Sequence, residues 1–107
     1  MTEQASIAPS RPVAAAKPRL LVFGSKTSGA CRRVDGYLAA VLQRRQNHEA
    51  FDLTQIDVDQ QPDLATQFQV TAVPTLIVVT DDTVRVRLEG PRGPTAIRRG
   101  LFEWLKH

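Results

Sequence analysis

Cysteine is almost absent from this chain of 107 residues, where Cys31 is the only one. A single thiol excludes an internal disulfide, a disulfide framework and a cysteine-rich zinc site. Histidine is nearly as scarce, and neither His48 nor His107 stands at ligand spacing from Cys31. Asp57, Asp59 and Asp63 fit a strand-end turn better than a cation loop, so no metal is expected. Nothing in the sequence asks for a cofactor either, because no glycine-rich phosphate loop is present. Aromatic residues amount to one Trp, one Tyr and four Phe. None interleaves with the arginines as a platform for single-stranded nucleic acid would require. No apolar run approaches the ~20 residues of a membrane-spanning helix, and the N-terminus has no hydrophobic signal segment. The expectation is a cytoplasmic protein with no membrane partner and no specific nucleic-acid partner.

What is there is ordinary for one folded domain. The apolar fraction of 42% is enough for a core. The pI of about 9.6 invites a nucleic-acid reading until the charge is divided. Arg11, Lys17 and Arg19 against Glu3 give the first nineteen residues an excess of two positive charges. The remainder holds eleven Lys/Arg against ten Asp/Glu, which is near balance. The pairs Arg32/Arg33, Arg44/Arg45, Arg85/Arg87 and Arg98/Arg99 therefore read as solvated faces rather than a nucleic-acid footprint.

Residues 1–18 are rich in Ala, Pro and Ser without apolar periodicity and read as a flexible tail, with 19–107 as the domain. Leu20-Leu21-Val22-Phe23, ended by Gly24, has the continuous apolar character of a strand covered on both faces. Val34, Tyr37, Leu38, Val41 and Leu42 then form one stripe on a helix expected to run to about residue 46, with Ser28 as its N-cap. Gly36 within that helix marks a possible bend. Residues 51–58 read as a second strand, and Pro62 opens a short helix carrying Leu64, Ala65 and Phe68. Asp59 is expected to serve the first turn of that helix. Leu76-Ile77-Val78-Val79 is another buried strand, and Asp81-Asp82 turns it into the alternating Val84, Val86, Leu88. Ile97, Leu101, Trp104 and Leu105 define a last helix. The order β-α-β-α-β-β-α implies an α/β sandwich with a central four-stranded mixed sheet and three helices. Its first two strands should be parallel neighbours and its last two antiparallel.

Three segments resemble the thioredoxin family in order and spacing. Thr27-Ser28-Gly29-Ala30-Cys31-Arg32 is similar to the active-site segment W-C-G-P-C-K. Ile56-Asp57-Val58-Asp59-Gln60-Gln61-Pro62 matches the end of the following strand. Val70-Thr71-Ala72-Val73-Pro74-Thr75 looks like the cis-proline motif, and Gly36 falls where the family often has a helix-kinking proline. The resemblance implies a thioredoxin-like fold over residues 19–106, shortened by the family's first strand and helix.

It also implies altered chemistry. Ser28 stands at the position of the family's nucleophilic cysteine, and a hydroxyl cannot form a disulfide. As an acyl nucleophile it would need a neighbouring base, and the motif places neither histidine beside it. Cys31 occupies the position of the resolving thiol, where its bland role is a small buried residue at a helix start. Its functional role would be a lone thiol favoured by the helix N-terminus. By the same resemblance Val22 and Gln55 replace the family's buried aspartate and its lysine partner. Gly24 and Thr27 replace two tryptophans. Val73-Pro74-Thr75 keeps its family form, in which backbone before the proline pairs with an extended peptide. The expected site therefore comprises Cys31 and Ser28, with Gly29, Ala30, Val73, Pro74 and Thr75 contacting the bound group. The expected function is a degenerate-site module binding a protein, peptide or small thiol. The alternative is a single-thiol redox protein acting through a Cys31 mixed disulfide, and binding of a nucleic acid or an acidic partner through the arginine pairs and the basic tail is a third.

Overall fold

The computed structural model describes residues 17–106, so most of the expected tail, and His107, lie outside the described residues. Seven regular elements follow one another: β1 (Arg19–Gly24), α1 (Gly29–Gln43), β2 (Asp52–Asp57), α2 (Pro62–Gln67), β3 (Thr75–Thr80), β4 (Thr83–Glu89) and α3 (Pro94–Gly100). The strands form one sheet in the order β2-β1-β3-β4. β1 and β2 are parallel, joined by the α1 crossover, while β3 runs antiparallel to both β1 and β4.

Two cores follow from the period-two alternation of the central strands. Leu20 and Val22 of β1 and Leu76 and Val78 of β3 face α1 and α3, meeting Val34, Leu38, Val41, Leu42, Ile97 and Leu101. Leu21, Phe23, Ile77 and Val79 face the other way, where Leu64 of α2 and Phe68, which caps that helix, cover them. A strand with apolar residues on both faces must be central, and the unbroken run in β1 reads that way. Each fully buried aliphatic or aromatic side chain contributes about 1.5–3 kcal/mol. β2, at the edge, buries only Ile56 and leaves Leu53 at 48% exposure.

The helix after β1 ends at Gln43, short of the expected residue 46. Arg45 and Gln46 adopt left-handed backbone (φ 52° and 57°) inside a 3-10 segment, Arg44–Ala50. The reversal turns Asn47 and Phe51 inward, where both are buried, and Phe51 packs edge-on against Trp104 at 6.3 Å between ring centres. Core burial at the end of the segment thus overrides the helical stripe. α3 is also shorter than the apolar spacing suggests, and a 3-10 turn at Phe102–Trp104 carries Trp104 and Leu105 back to the core. Asp81 and Asp82 both have positive φ (51° and 62°), as a two-residue hairpin loop requires. Asp59 does not serve the start of α2, whose N-cap is Gln61; its carboxylate accepts instead from the Ser25 hydroxyl at 2.8 Å. The loop geometry places Asp59 beside the end of β1, and Asp57 Oδ1 accepts its backbone N–H at 2.9 Å.

Candidate functional site

The site begins where β1 ends. Gly24 leads into a short loop that turns at Ser25, and α1 starts at Gly29. Ser28 is the N-cap, in extended backbone, and its hydroxyl oxygen accepts the Cys31 N–H at 3.2 Å. This satisfies one of the four unpaired N–H groups at the helix start. It also commits the Ser28 hydroxyl to structure. Among the described residues no histidine accompanies it: His48 is exposed in the segment after α1, at the far end of that helix.

Cys31 lies in the first turn of α1 and is 6% exposed. Its sulfur accepts the Ser25 N–H at 3.4 Å. Gly24 is what lets the sulfur sit there, because a Cβ at residue 24 would lie 3.3 Å from it. Cys31, Gly24 and Pro74 border a cleft of about 420 Å³ running between the carboxyl ends of β1 and β2 and the side of α1. Val22 and Gln55, which are register partners across β1 and β2, both line it. The two positions flagged from the sequence thus meet beside the thiol, and neither carries charge.

Asp35 was missed by the sequence reasoning. It follows Cys31 by one helical turn and therefore shares its face, a signal available from spacing alone. It lines the same cleft, and partial burial there pushes its carboxyl above the ordinary value of 3.8. The cleft thus holds a carboxyl supplied by the helix rather than by β1.

The second half of the site is the loop before β3. The Val73–Pro74 peptide bond is cis. Pro74 is buried, and its carbonyl accepts the Gly90 N–H at 2.9 Å, tying the loop to the end of β4. Pro74 borders the Cys31 cleft on one side. On the other it borders a depression of about 320 Å³ with Ala30, Arg33, Tyr37 and Arg92. Ser28, Gly29, Ala30, Cys31 and Pro74 are thus gathered around the start of α1. Val73 packs instead against the second core, and Thr75, 1% exposed, spends its hydroxyl on the Ala72 carbonyl at 2.7 Å. Among the described residues no group of three or more His, Cys, Asp or Glu side chains is arranged to hold a metal ion. No helix among them is long and apolar enough to cross a membrane.

Comparison with known proteins gives a consistent result. The thioredoxin family profile matches residues 9–103. Thioredoxin from Mycobacterium tuberculosis is 37% identical over 89 residues, covering 81% of this chain and 73% of that protein. Among solved structures, Trxlp from Edwardsiella tarda superposes with a TM-score of 0.73 at 19% identity, covering 88% of this chain and 87% of that one. Mitochondrial thioredoxin 3 from Saccharomyces cerevisiae superposes with a TM-score of 0.70 at 23% identity, covering 85% and 82% respectively. These two structures share the four-stranded mixed sheet and flanking helices. With a profile spanning nearly the whole chain and a relative aligned over most of both lengths, the chain belongs to the thioredoxin family.

Proposed function

We propose that this protein is a binding member of its family, holding an extended peptide, a protein segment or a small thiol beside Cys31 and Pro74 without dithiol–disulfide turnover. One observation carries the reading. The chain has a single cysteine, and the residue at the other end of the S-x-x-C segment, Ser28, is engaged as a helix cap. Dithiol exchange requires two thiols: one to attack, and one to displace the mixed disulfide. The uncharged Val22–Gln55 pair and the absence of aromatic cover at Gly24 and Thr27 point the same way. The loop carrying Pro74 retains the position from which backbone pairing to an extended peptide is possible. Gly29, Ala30, Val73 and Pro74 are the contacts of this reading, with Thr75 anchoring the loop.

A second reading is favoured by the cleft that Cys31 borders. The Cys31 thiolate attacks a disulfide R–S–S–R′, forms Cys31–S–S–R and releases R′S⁻. An external thiolate then attacks the Cys31 sulfur–sulfur bond, releases Cys31 and leaves the new disulfide on R. This route needs no second cysteine, but the external thiol must be supplied.

Titration of the labelled protein with reduced glutathione, and separately with a peptide pool from digested cell extract, tests the binding reading. The Gly29 and Val73 amides should shift while insulin reduction stays at background. Unresponsive Gly29 and Val73 amides sink the binding reading. A glutathione adduct on Cys31 under oxidising conditions, formed faster than in a buried-thiol control, selects the second reading.

A further inference from the structure

The arginine pairs read from the sequence as solvated faces do not all remain separate in the fold. Arg44 and Arg45 leave the end of α1, Arg98 belongs to the last turn of α3, and Lys106 follows the final 3-10 turn. α1 and α3 pack on the same face of the sheet, and all four cations line one pocket of about 310 Å³. Among the described residues no carboxylate contributes to its lining. The nearby acid is Glu49, 3.9 Å from Lys106 Nζ, with both side chains more than half exposed. Such a pair is weak and screened. Arg44, Arg45 and Arg98 make no ion pair or side-chain hydrogen bond among the described residues.

We propose that this pocket binds the phosphate group of a small phosphorylated molecule. A fifth polar side chain builds the site. Asn47 is 3% exposed and lines the pocket, and its Oδ1 accepts the Lys106 N–H at 2.6 Å. With the oxygen on the backbone, the two amide hydrogens on Nδ2 remain without an acceptor among the described residues. Nδ2 is not sealed in, for among the described residues the only enclosed side-chain nitrogen without a partner is Arg87 Nη1, at the opposite face of the sheet. A nearly buried amide donor and three unpaired guanidinium groups thus surround one concavity. The consecutive left-handed residues Arg45 and Gln46 hold Asn47 inward and bring Arg44 and Arg45 to the rim.

The ligand class follows from the donors. Guanidinium forks bind tetrahedral oxyanions through paired hydrogen bonds. A phosphate monoester offers three terminal oxygens and nearly two charges, which match several cations better than one carboxylate does. The pocket is at the small end of ligand-binding clefts, roughly 300–1,000 Å³. Val41 and Leu105 supply an apolar wall for the organic part. The carboxyl end of α1 opposes an anion through its partial negative charge, so each cation must offset that field as well as contact the ligand. This site is independent of Cys31 and of the function proposed above.

The test uses the full chain, isotopically labelled, titrated with inorganic phosphate and with phenyl phosphate at constant ionic strength set by chloride. The Asn47 side-chain amide and the Arg44 and Lys106 backbone amides should shift saturably, with phenyl phosphate the tighter of the two. Arg44→Gln and Arg98→Gln, both at exposed positions, should each weaken binding by about tenfold, the loss expected for a charge-assisted hydrogen bond. Arg99→Gln, outside the pocket, should leave the affinity unchanged. Shifts that follow ionic strength alone would overturn the proposal. So would equal losses in the Arg98 and Arg99 variants, which would mark a diffuse charge effect. Unchanged Gly29 and Val73 resonances verify that each variant is folded.

Discussion

Restoring the missing thiol separates the two roles assigned to position 28. In Ser28→Cys the cap hydrogen bond to the Cys31 N–H is lost or weakened. Replacing a good cap costs about 1 kcal/mol. For a domain of this size that lowers the melting temperature of the reduced variant by about 4–8 °C. Oxidation then closes a loop of about four residues, for which the chain-entropy relation gives about 1.9 kcal/mol at 25 °C. The oxidised variant should therefore melt roughly 7–15 °C above its reduced form, less any strain in the bridge. Calorimetry of both redox forms, with mass spectrometry to count free thiols, reads these quantities. Insulin reduction supplies the functional arm. Val22 and Gln55 give the second thiol no charged proton-handling partner, so turnover should remain far below that of a family member with an intact C-x-x-C segment. Two results would refute the reasoning. A reduced variant as stable as the parent would show that the cap contributes nothing. Full insulin-reducing activity would show that the missing cysteine alone silenced the site.

Three further outcomes follow from the same structure. Asp35 has a raised pKa through burial, so the folded state holds its proton more tightly than the unfolded state does. Its contribution to stability therefore falls as pH rises from 3.8 through the raised value, and Asp35→Asn should melt above the parent at pH 7 with the difference vanishing below pH 3.8; a constant difference across that range counts against the burial effect. Gly24→Ala places a methyl 3.3 Å from the Cys31 sulfur, on the cleft side, and should slow iodoacetamide alkylation of the native protein without changing the rate in denaturant. A faster native rate would mean that the thiol is reached by another route. At Gly100 a Cβ would stand 2.6 Å from Leu88 Cδ1, so Gly100→Ala should incur about 1–3 kcal/mol of overpacking against a helix-propensity gain of about 1 kcal/mol. Making the same change in a Leu88→Ala background should abolish the overpacking, and equal effects in both backgrounds would exclude the clash.

The apolar patterns were the most legible part of this chain. Leu20 to Phe23 and Leu76 to Val79 declare central strands because only a strand covered on both faces tolerates four consecutive apolar residues. The α1 stripe, the Ser28 cap and the Asp81-Asp82 turn depend on neighbours within a few residues, and local chemistry is visible in local sequence. The end of α1 was not legible. Its helical spacing continues past Gln43, but burial of Asn47 and Phe51 against residues more than fifty positions later stops it. Asp59 was misplaced for the same reason, since its partner, Ser25, is 34 residues away.

By itself the sequence determined the order of elements, the single thiol, the serine at the start of α1 and the lack of charge at Val22 and Gln55, all of which are properties of residue identity and spacing. Only the tertiary structure decided which of them meet. It brought Asp35 and Gln55 into the Cys31 cleft, carried Pro74 to the same helix terminus, and drew Arg44, Arg45, Arg98 and Lys106 around Asn47. Convergence of that kind arises from packing two helices on one face of a twisted sheet, a long-range consequence of burial that no local pattern encodes.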